Sequence, residues 1–298
     1  MTSSRDANRP DQSTFSDTSS TDGSRDALVF QARLAQQCGR DDDMLSAMKV
    51  LLVASQDELT TTERNLLSVS LKNVLQRLRS SVSIARTLEI RERQLANDDG
   101  ASLCRKYVKK LCVELFGFCE QTIEMVSGRA RTVSAAASLD ARVFWLKLMG
   151  DYWRYICEIE NGIDLKDLGI ERAHDARARA EDCYRAGIEL ASSLPITDAT
   201  RLGLYLNETV FLYEIIGNRR AAIEITKACL DQTVEASPRL DDDGVDETEA
   251  IIELLANNLA LWGQDAEDPP ASLSTSVDAK DVRVLHAETL DLAKLHLR

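Results

Sequence analysis

The stretch Arg142–Glu160, RVFWLKLMGDYWRYICEIE, sets a guanidinium, Arg154, between Trp153 and Tyr155 inside a strongly apolar run. Helical spacing makes sense of it. Lys147, Asp151, Arg154 and Glu158 follow at steps of four, three and four, which gathers all four charges in one stripe. Phe144, Leu148, Tyr152 and Ile159 lie on the opposite side. The segment therefore reads as a helix buried on one side, with a narrow charged stripe flanked by aromatics. Three readings of the stripe stand at this point: a solvated face, an internal ladder of ion pairs, or the wall of a polar groove.

The same periodicity extends outward from this helix. Between residues 11 and 268 only Pro195 and Pro238 interrupt the chain, and periodic apolar residues fill the intervals. Helical segments are expected from near Ala27 to Cys38, from the acidic restart after GRDDDM to about Ser55, and over a long stretch capped by Thr61 or Thr62 and ended by ANDDG. Others are expected near 101–130, 138–161, 168–193, 198–217, 219–235 and 246–263, separated by turn chemistry such as NGID, SSLPITD, IGNR and ASPRLDDDG. No strand pattern competes. About nine helices joined by short turns predict one all-α array of antiparallel neighbours, and no fixed-period repeat points to a solenoid. Residues 1–25, dominated by Ser, Thr and Asp, are expected to be disordered. Residues 266–298 form a tail, with a linker AEDPPASLSTSV and a segment from Asp278 that is partly helical in pattern.

A formal net charge of −13 sets the whole-protein field against nucleic acid and anionic membrane surfaces. There is no apolar run of spanning length, so membrane insertion is not expected. Seven cysteines at irregular spacing, without CxxC, fit a reduced cytoplasmic or nuclear setting. His174, His286 and His296 have no partners at metal-ligand spacing, so neither metal nor cofactor is expected. With no phosphate-cradling glycine loop and no Cys/His pair, catalysis is not expected either.

Three more helices carry faces of the same kind. Lys72, Gln76, Arg79 and Ser83 share one; Gly203, Asn207, Val210 and Glu214 share another; Ile251, Leu254, Asn258 and Leu261 share a third, with Trp262 beside it. Taken singly, each is most simply a solvated face. Taken with the local words, they carry a resemblance. ERNLLSVSLKN (Glu63–Asn73), VFWLKLMGDYWRYICE (Val143–Glu158), RLGLYLNETVFLYEI (Arg201–Ile215) and AIIELLANNLALWGQD (Ala250–Asp265) resemble, in order and with compatible spacing, the signature helices of the 14-3-3 family. The similarity runs from about Ala27 to Asp265 and implies a 14-3-3-like helical domain over 26–265.

That resemblance implies an all-α cup of nine antiparallel helices, a homodimer or a heterodimer with a paralogue, and a groove for phosphoserine or phosphothreonine peptides of client proteins. It assigns Lys72, Arg79, Arg154 and Tyr155 to the phosphate, Asn207 and Asn258 to the peptide backbone, and Glu214 to the asparagine end of the groove. Leu206, Val210, Ile251, Leu254, Leu261 and Trp262 become the apolar wall. Across the two-fold axis it pairs Arg40 with Glu114 and Asp43 with Lys110, with Leu34, Cys38 and Tyr107 in contact. Asp151 is expected to orient Arg154, and Ser81 matches a family serine near the dimer surface.

The match departs in places. Ser70 and Leu71 alter the first signature, Val82 and Ser83 stand where the family has Trp-Arg, Met149 replaces a lysine, Ala250 shortens a wall residue, and Ala256 and Gly263 alter the last signature. A less basic groove with altered sequence preference follows. The rival reading is a scaffold that has lost phosphate dependence and binds partners through helix faces or tails. A further expectation is that Leu285, Leu290, Leu292 and Leu295 of the tail fold back onto the apolar wall.

Overall fold

The computed structural model describes residues 21–55, 57–132, 137–170, 175–236 and 245–267. Among them are nine α-helices: α1 (Thr21–Gln37), α2 (Asp41–Ala54), α3 (Thr61–Gln94), α4 (Asp98–Thr132), α5 (Leu139–Gly162), α6 (Ala176–Ala191), α7 (Ala199–Phe211), α8 (Arg219–Ala236) and α9 (Val245–Glu267). A short 3-10 turn, Leu165–Leu168, follows α5, and α7 runs on into a π-helical turn, Leu212–Ile216. No strand occurs among the described residues. The leucine-rich tail beyond Glu267, His174, His286, His296 and residues 1–20 lie outside the described residues.

Each helix packs against its neighbour in sequence, which is how short connections make an antiparallel row. Contacts also skip one helix, from α1 to α3, α5 to α7 and α7 to α9. Helix axes pack about 8–10 Å apart, so second neighbours in a flat row would not touch. The row therefore bends. One large core runs from Ala32 on α1 to Ile215 beyond α7, and two small ones, Leu202 with Cys229, Ile251 and Leu255, and Val210 with Ala222 and Trp262, join α7 to α8 and α9.

Local chemistry shifts several expected boundaries. The first helix begins at Thr21, ahead of Ala27, so the last residues of the polar extension are helical. Arg25 explains the early start: its Nε and Nη2 donate to the Glu63 carboxylate at 2.5 and 2.6 Å, and Nη2 also reaches the Glu58 carbonyl. The cap of α3 is Thr60, not Thr61 or Thr62. Its hydroxyl accepts from the Glu63 amide at 3.3 Å while the Glu63 carboxylate accepts from the Thr60 amide at 2.7 Å, a reciprocal box that places the cap three residues before the glutamate. α6 begins at Ala176 behind an Asp175 cap rather than near 168. Between α7 and α8 the chain turns at Gly217, whose φ of +77° lies in the left-handed region open to glycine.

The loop after α2 is held from three sides. Arg25 of α1 grips Glu58 and Glu63; Arg64 of α3 pairs with Glu58 and Asp140 and donates to the Leu59 carbonyl; Arg129 of α4 donates to the carbonyls of Ser55 and Asp57. These bonds fix the start of α3 relative to α4 and α5. That in turn sets how the cationic face of α3 meets the charged stripe of α5.

Candidate functional site

The charged stripe of α5 is an internal ladder, not a solvated face. Lys147 pairs with Asp151 at 2.9 Å and Arg154 with Glu158 at 2.6 Å, each one helical turn apart. Arg154 is 2% exposed, so its charge is desolvated and must be compensated within the protein. Glu158 supplies that compensation and also reaches across to α3, where Arg79 Nη2 donates to its other oxygen at 2.8 Å. One carboxylate therefore holds two guanidiniums together.

Tyr155 completes the arrangement. The guanidinium carbons of Arg154 and Arg79 lie 4.4 and 5.2 Å from its ring centroid, so both cations use the negative face of one aromatic ring. Lys72 stands two turns before Arg79 on the same helix. Of the phosphate set drawn from the sequence, Arg79 and Arg154 thus both lie against Tyr155 and share Glu158, with Lys72 on the same face of α3 as Arg79.

The expectation for Asp151 holds in part: its charge acts on the nearby Arg154, while Arg154 forms its ion pair with Glu158. Asp151 Oδ2 accepts from Lys147, and Asp151 Oδ1 accepts from the Tyr184 hydroxyl at 2.8 Å and from Asn207 Nδ2 at 2.7 Å. The carboxylate that grips Arg154 is Glu158. Asp151 lies on the same stripe, three residues before Arg154, and its oxygens accept from Lys147, Tyr184 and Asn207. Glu158 sat in the sequence pattern on that stripe, whereas Tyr184 had no local signal because its role depends on α6 packing against α5.

The remaining residues assigned to a groove by the resemblance come from α7, the π turn that follows it, and α9. Val210, Ile251 and Trp262 are buried, and Leu206, Leu254 and Leu261 are half-buried, so this side is apolar with partly open edges. Trp262 is only 2% exposed: its ring stacks on Tyr213 at 4.5 Å and 9°, so it backs the wall rather than forming its surface. Asn258 is buried one turn before it. Glu214 sits in the π turn, where burial, and then the charge of Glu158 against Arg154 and Arg79, pushes its carboxyl up to about 7. Lys147 Cε and Ile251 Cδ1 lie 3.5 and 3.9 Å from where a Cβ on Gly203 would stand, which brings α5, α7 and α9 together at one end of the groove.

These four helices, in this order and with these side chains, match one family model, that of the 14-3-3 protein, over residues 31–263. The chain belongs to the 14-3-3 family. It is 38% identical over 248 residues to the 14-3-3-like protein GF14 omega of Arabidopsis thaliana, covering 83% of this chain and 92% of that one. It is 39% identical to GF14 chi of the same plant, covering 83% and 90%, and 34% identical to the 14-3-3-like protein A of Vicia faba, covering 83% and 92%. As a 14-3-3 protein the chain is a non-catalytic adaptor.

The departures from the 14-3-3 pattern have local explanations. Ser70 is fully buried and donates to the Leu67 carbonyl within its own helix. Val82 is buried, and Met149 accepts a 3.5 Å contact from Ser127 of α4 where a cation would project. Ser81 donates to the Arg77 carbonyl. Of the residues expected at a dimer contact, Leu34, Cys38 and Tyr107 are exposed, as are Phe30, Ile84, Leu88 and Leu103, which the sequence reading did not single out. Arg40 pairs with Asp43 at 2.8 Å and Lys110 with Glu114 at 3.8 Å within the chain. No helix among the described residues is long and apolar enough to cross a membrane, and no group of three metal-ligating side chains occurs there.

Proposed function

We propose that this 14-3-3 protein is a dimeric adaptor that holds phosphoserine or phosphothreonine motifs of client proteins in the groove between α3, α5, α7 and α9. The observation that supports the reading is the pair Arg79 and Arg154, the first half-buried and the second buried, beside Tyr155 and spaced by one carboxylate. A phosphate with about −1.5 to −2 charges offers acceptors to both guanidiniums, with Lys72 and the Tyr155 hydroxyl as further donors. An unphosphorylated hydroxyl offers no comparable charge, so discrimination arises from the same contacts as affinity. Asn207 and Asn258 bond the peptide backbone, Glu214 orients the asparagine end, and Leu206, Val210, Ile251, Leu254 and Leu261, backed by Trp262, take apolar client side chains.

The body of the adaptor spans 26–265, with 1–25 and 266–298 as extensions. Dimerisation uses the exposed apolar face of α1, α3 and α4 around Leu34, Cys38 and Tyr107, with Arg40, Asp43, Lys110 and Glu114 exchanging partners across the axis. Two grooves on one body raise the effective concentration for a doubly phosphorylated client. The same surface accepts a paralogue, and the adaptor works in the cytoplasm and nucleus. A second reading, a scaffold with weak phosphate dependence, draws on Ser83 and Met149, where flanking cations are missing.

Fluorescence anisotropy with a labelled phosphoserine peptide and its unphosphorylated twin tests the proposal. Binding at micromolar concentration that requires the phosphate supports it. Equal or absent binding of the two peptides rejects it in favour of the scaffold.

A further inference from the structure

The cationic face of α3 does not end at the phosphate residues. Lys72, Gln76, Arg79, Ser83 and Arg86 follow at steps of four, three, four and three, so all five stand in one stripe. Arg79 crosses from that stripe to α5 at Glu158. Arg86 crosses further along: its Nη2 stands 2.5 Å from where a Cβ on Gly162, the last residue of α5, would lie. A side chain at 162 would meet the guanidinium, so the glycine leaves it room. Arg86 also meets the buried Cys112 thiol of α4, a weak acceptor.

What Arg86 lacks is a carboxylate. Arg79 and Arg154 share Glu158, and Glu89, the acid one turn after Arg86, is taken by Arg93 and Arg105. Among the described residues Arg86 forms no ion pair. A guanidinium has five N–H donors, and this one is half-buried, so an anion brought to it interacts more strongly than it would in open water. Between the two arginines stands Ser83, where the family has an arginine. The cation missing from that position is present here one helical turn later.

We infer that Arg86 forms a second anion subsite of the groove, which takes an aspartate or glutamate side chain of the client about three residues from the phosphorylated one. The spacing follows from the helix. Arg86 lies seven residues after Arg79, a rise of ~10.5 Å along α3. An extended client segment covers that distance in about three residues, at ~3.3–3.6 Å each. A carboxylate there can accept from the guanidinium through both oxygens. A cation at position 83 would read the same acid about one residue nearer the phosphate, so Ser83 and Arg86 together reset the spacing of the preference and not its sign. This inference rests on the phosphopeptide reading of the groove.

The experiment uses the full chain and one labelled phosphoserine peptide in which a single glutamate, or glutamine as its neutral counterpart, is walked through the positions two to four residues away on either side. If the glutamine peptides bind no better than their unphosphorylated twins, the functional reading fails and this inference falls with it. Given phosphate-dependent binding, glutamate is expected to bind about threefold or more tighter than glutamine near the third position, on one side only. In Arg86→Gln that ratio is expected to fall to about one, and in Arg86→Glu the same position is expected to favour lysine over glutamine. A glutamate preference absent from the wild type, or kept in Arg86→Gln, overturns the inference. So does a preference equal at every position, which would report the general field and not a subsite. If circular dichroism shows Arg86→Gln unfolded, the wild type decides: the Arg86 Nε–H NMR signal is expected to shift on addition of the glutamate peptide and not of the glutamine one, and equal responses overturn the inference.

Discussion

Arg154→Lys keeps the charge at the centre of the site and removes its geometry. In the wild type, Arg154 is 2% exposed, donates from Nη1 to Glu158 at 2.6 Å and lies flat enough over Tyr155 for a 4.4 Å separation from the ring centroid. An ammonium is a compact, strongly hydrated donor that cannot stack or fork in this way. Loss of the desolvated cation–π contact removes ~1–2 kcal/mol from the folded state, and poorer pairing with Glu158 adds to it. For a chain of this size ~1 kcal/mol corresponds to ~2–4 °C in Tm, so a fall of ~4–8 °C is expected in a thermal melt. In the complex the guanidinium can serve Glu158 and a phosphate at once through different N–H groups, whereas an ammonium facing Glu158 loses at least one directed bond. One charge-assisted hydrogen bond contributes ~1.5–3 kcal/mol, which is ~10- to 100-fold in Kd. Arg154→Ala removes the charge as well and costs ~2–5 kcal/mol. Anisotropy titrations with the phosphorylated and unphosphorylated peptides measure both. If R154K binds the phosphopeptide within about threefold of wild type, the forked contact is not made and the site as described is wrong.

Three further outcomes follow from the structure. Burial pushes the carboxyls of Glu208 and Glu214 up to about 7, so the folded chain binds more protons than the unfolded one above the ordinary glutamate range. Their contribution to stability is therefore present at acid pH and lost as pH rises from about 4.5 to about 7. Urea unfolding across that window should show a smaller loss for Glu208→Gln than for wild type, and equal losses would refute the assignment. Within one chain Arg40 already pairs with Asp43 and Lys110 with Glu114, so exchanging partners across the axis of the proposed dimer would conserve the number of pairs. Sedimentation equilibrium should find the dimer constant changed by less than about threefold between low and high salt, and weakened by about tenfold or more in Leu34→Asp; a dimer as strong with Asp as with Leu places the interface elsewhere. Gly150→Ala would set a methyl 2.9 Å from Tyr184 Cε1, an overpacking that costs ~1–3 kcal/mol and lowers Tm. An unchanged melt would show that α5 and α6 are not packed as closely as the structure has them.

What the sequence made legible was what repeats along one helix. The stripe Lys147, Asp151, Arg154 and Glu158 could be read from spacing alone, and with it the helix, its buried side and the ladder as one of three alternatives. The local words then ordered α3, α5, α7 and α9 around a groove. What stayed hidden depends on how helices meet. Whether Asp151 or Glu158 grips Arg154 is decided by the phase of α5 against α3 and α7, and Tyr184 enters only because α6 lies over Gly150. The Thr60 cap was local, yet it was missed because three threonines in a row satisfy the same composition, and only the reciprocal bond with Glu63 selects one. Arg25, Arg64 and Arg129 were unreadable for the same reason as Tyr184: their acceptors are main-chain carbonyls and carboxylates of a distant loop.

For a chain of net charge −13 to read an anion, as proposed, its binding cations must stand apart from the general field. Exposed arginines such as Arg77 and Arg220 are partnered by the neighbouring carboxylates Asp42 and Glu224, and such pairs present little field at a distance. The pocket differs in proportion. Lys72, Arg79 and Arg154 against Glu158 sum to +2, which in the proposed complex would offset a doubly ionised phosphate. Burial makes that offset count, because the same charges in water would be screened. Glu214 refines the balance: with its carboxyl pushed up to about 7, it is partly protonated beside the empty pocket at neutral pH, and a cationic client side chain next to it would draw it into the ionised form. In the proposed complex, affinity for the phosphate and tolerance of a basic flank then share one electrostatic origin, and the net charge of −13 sets the general field against anions elsewhere.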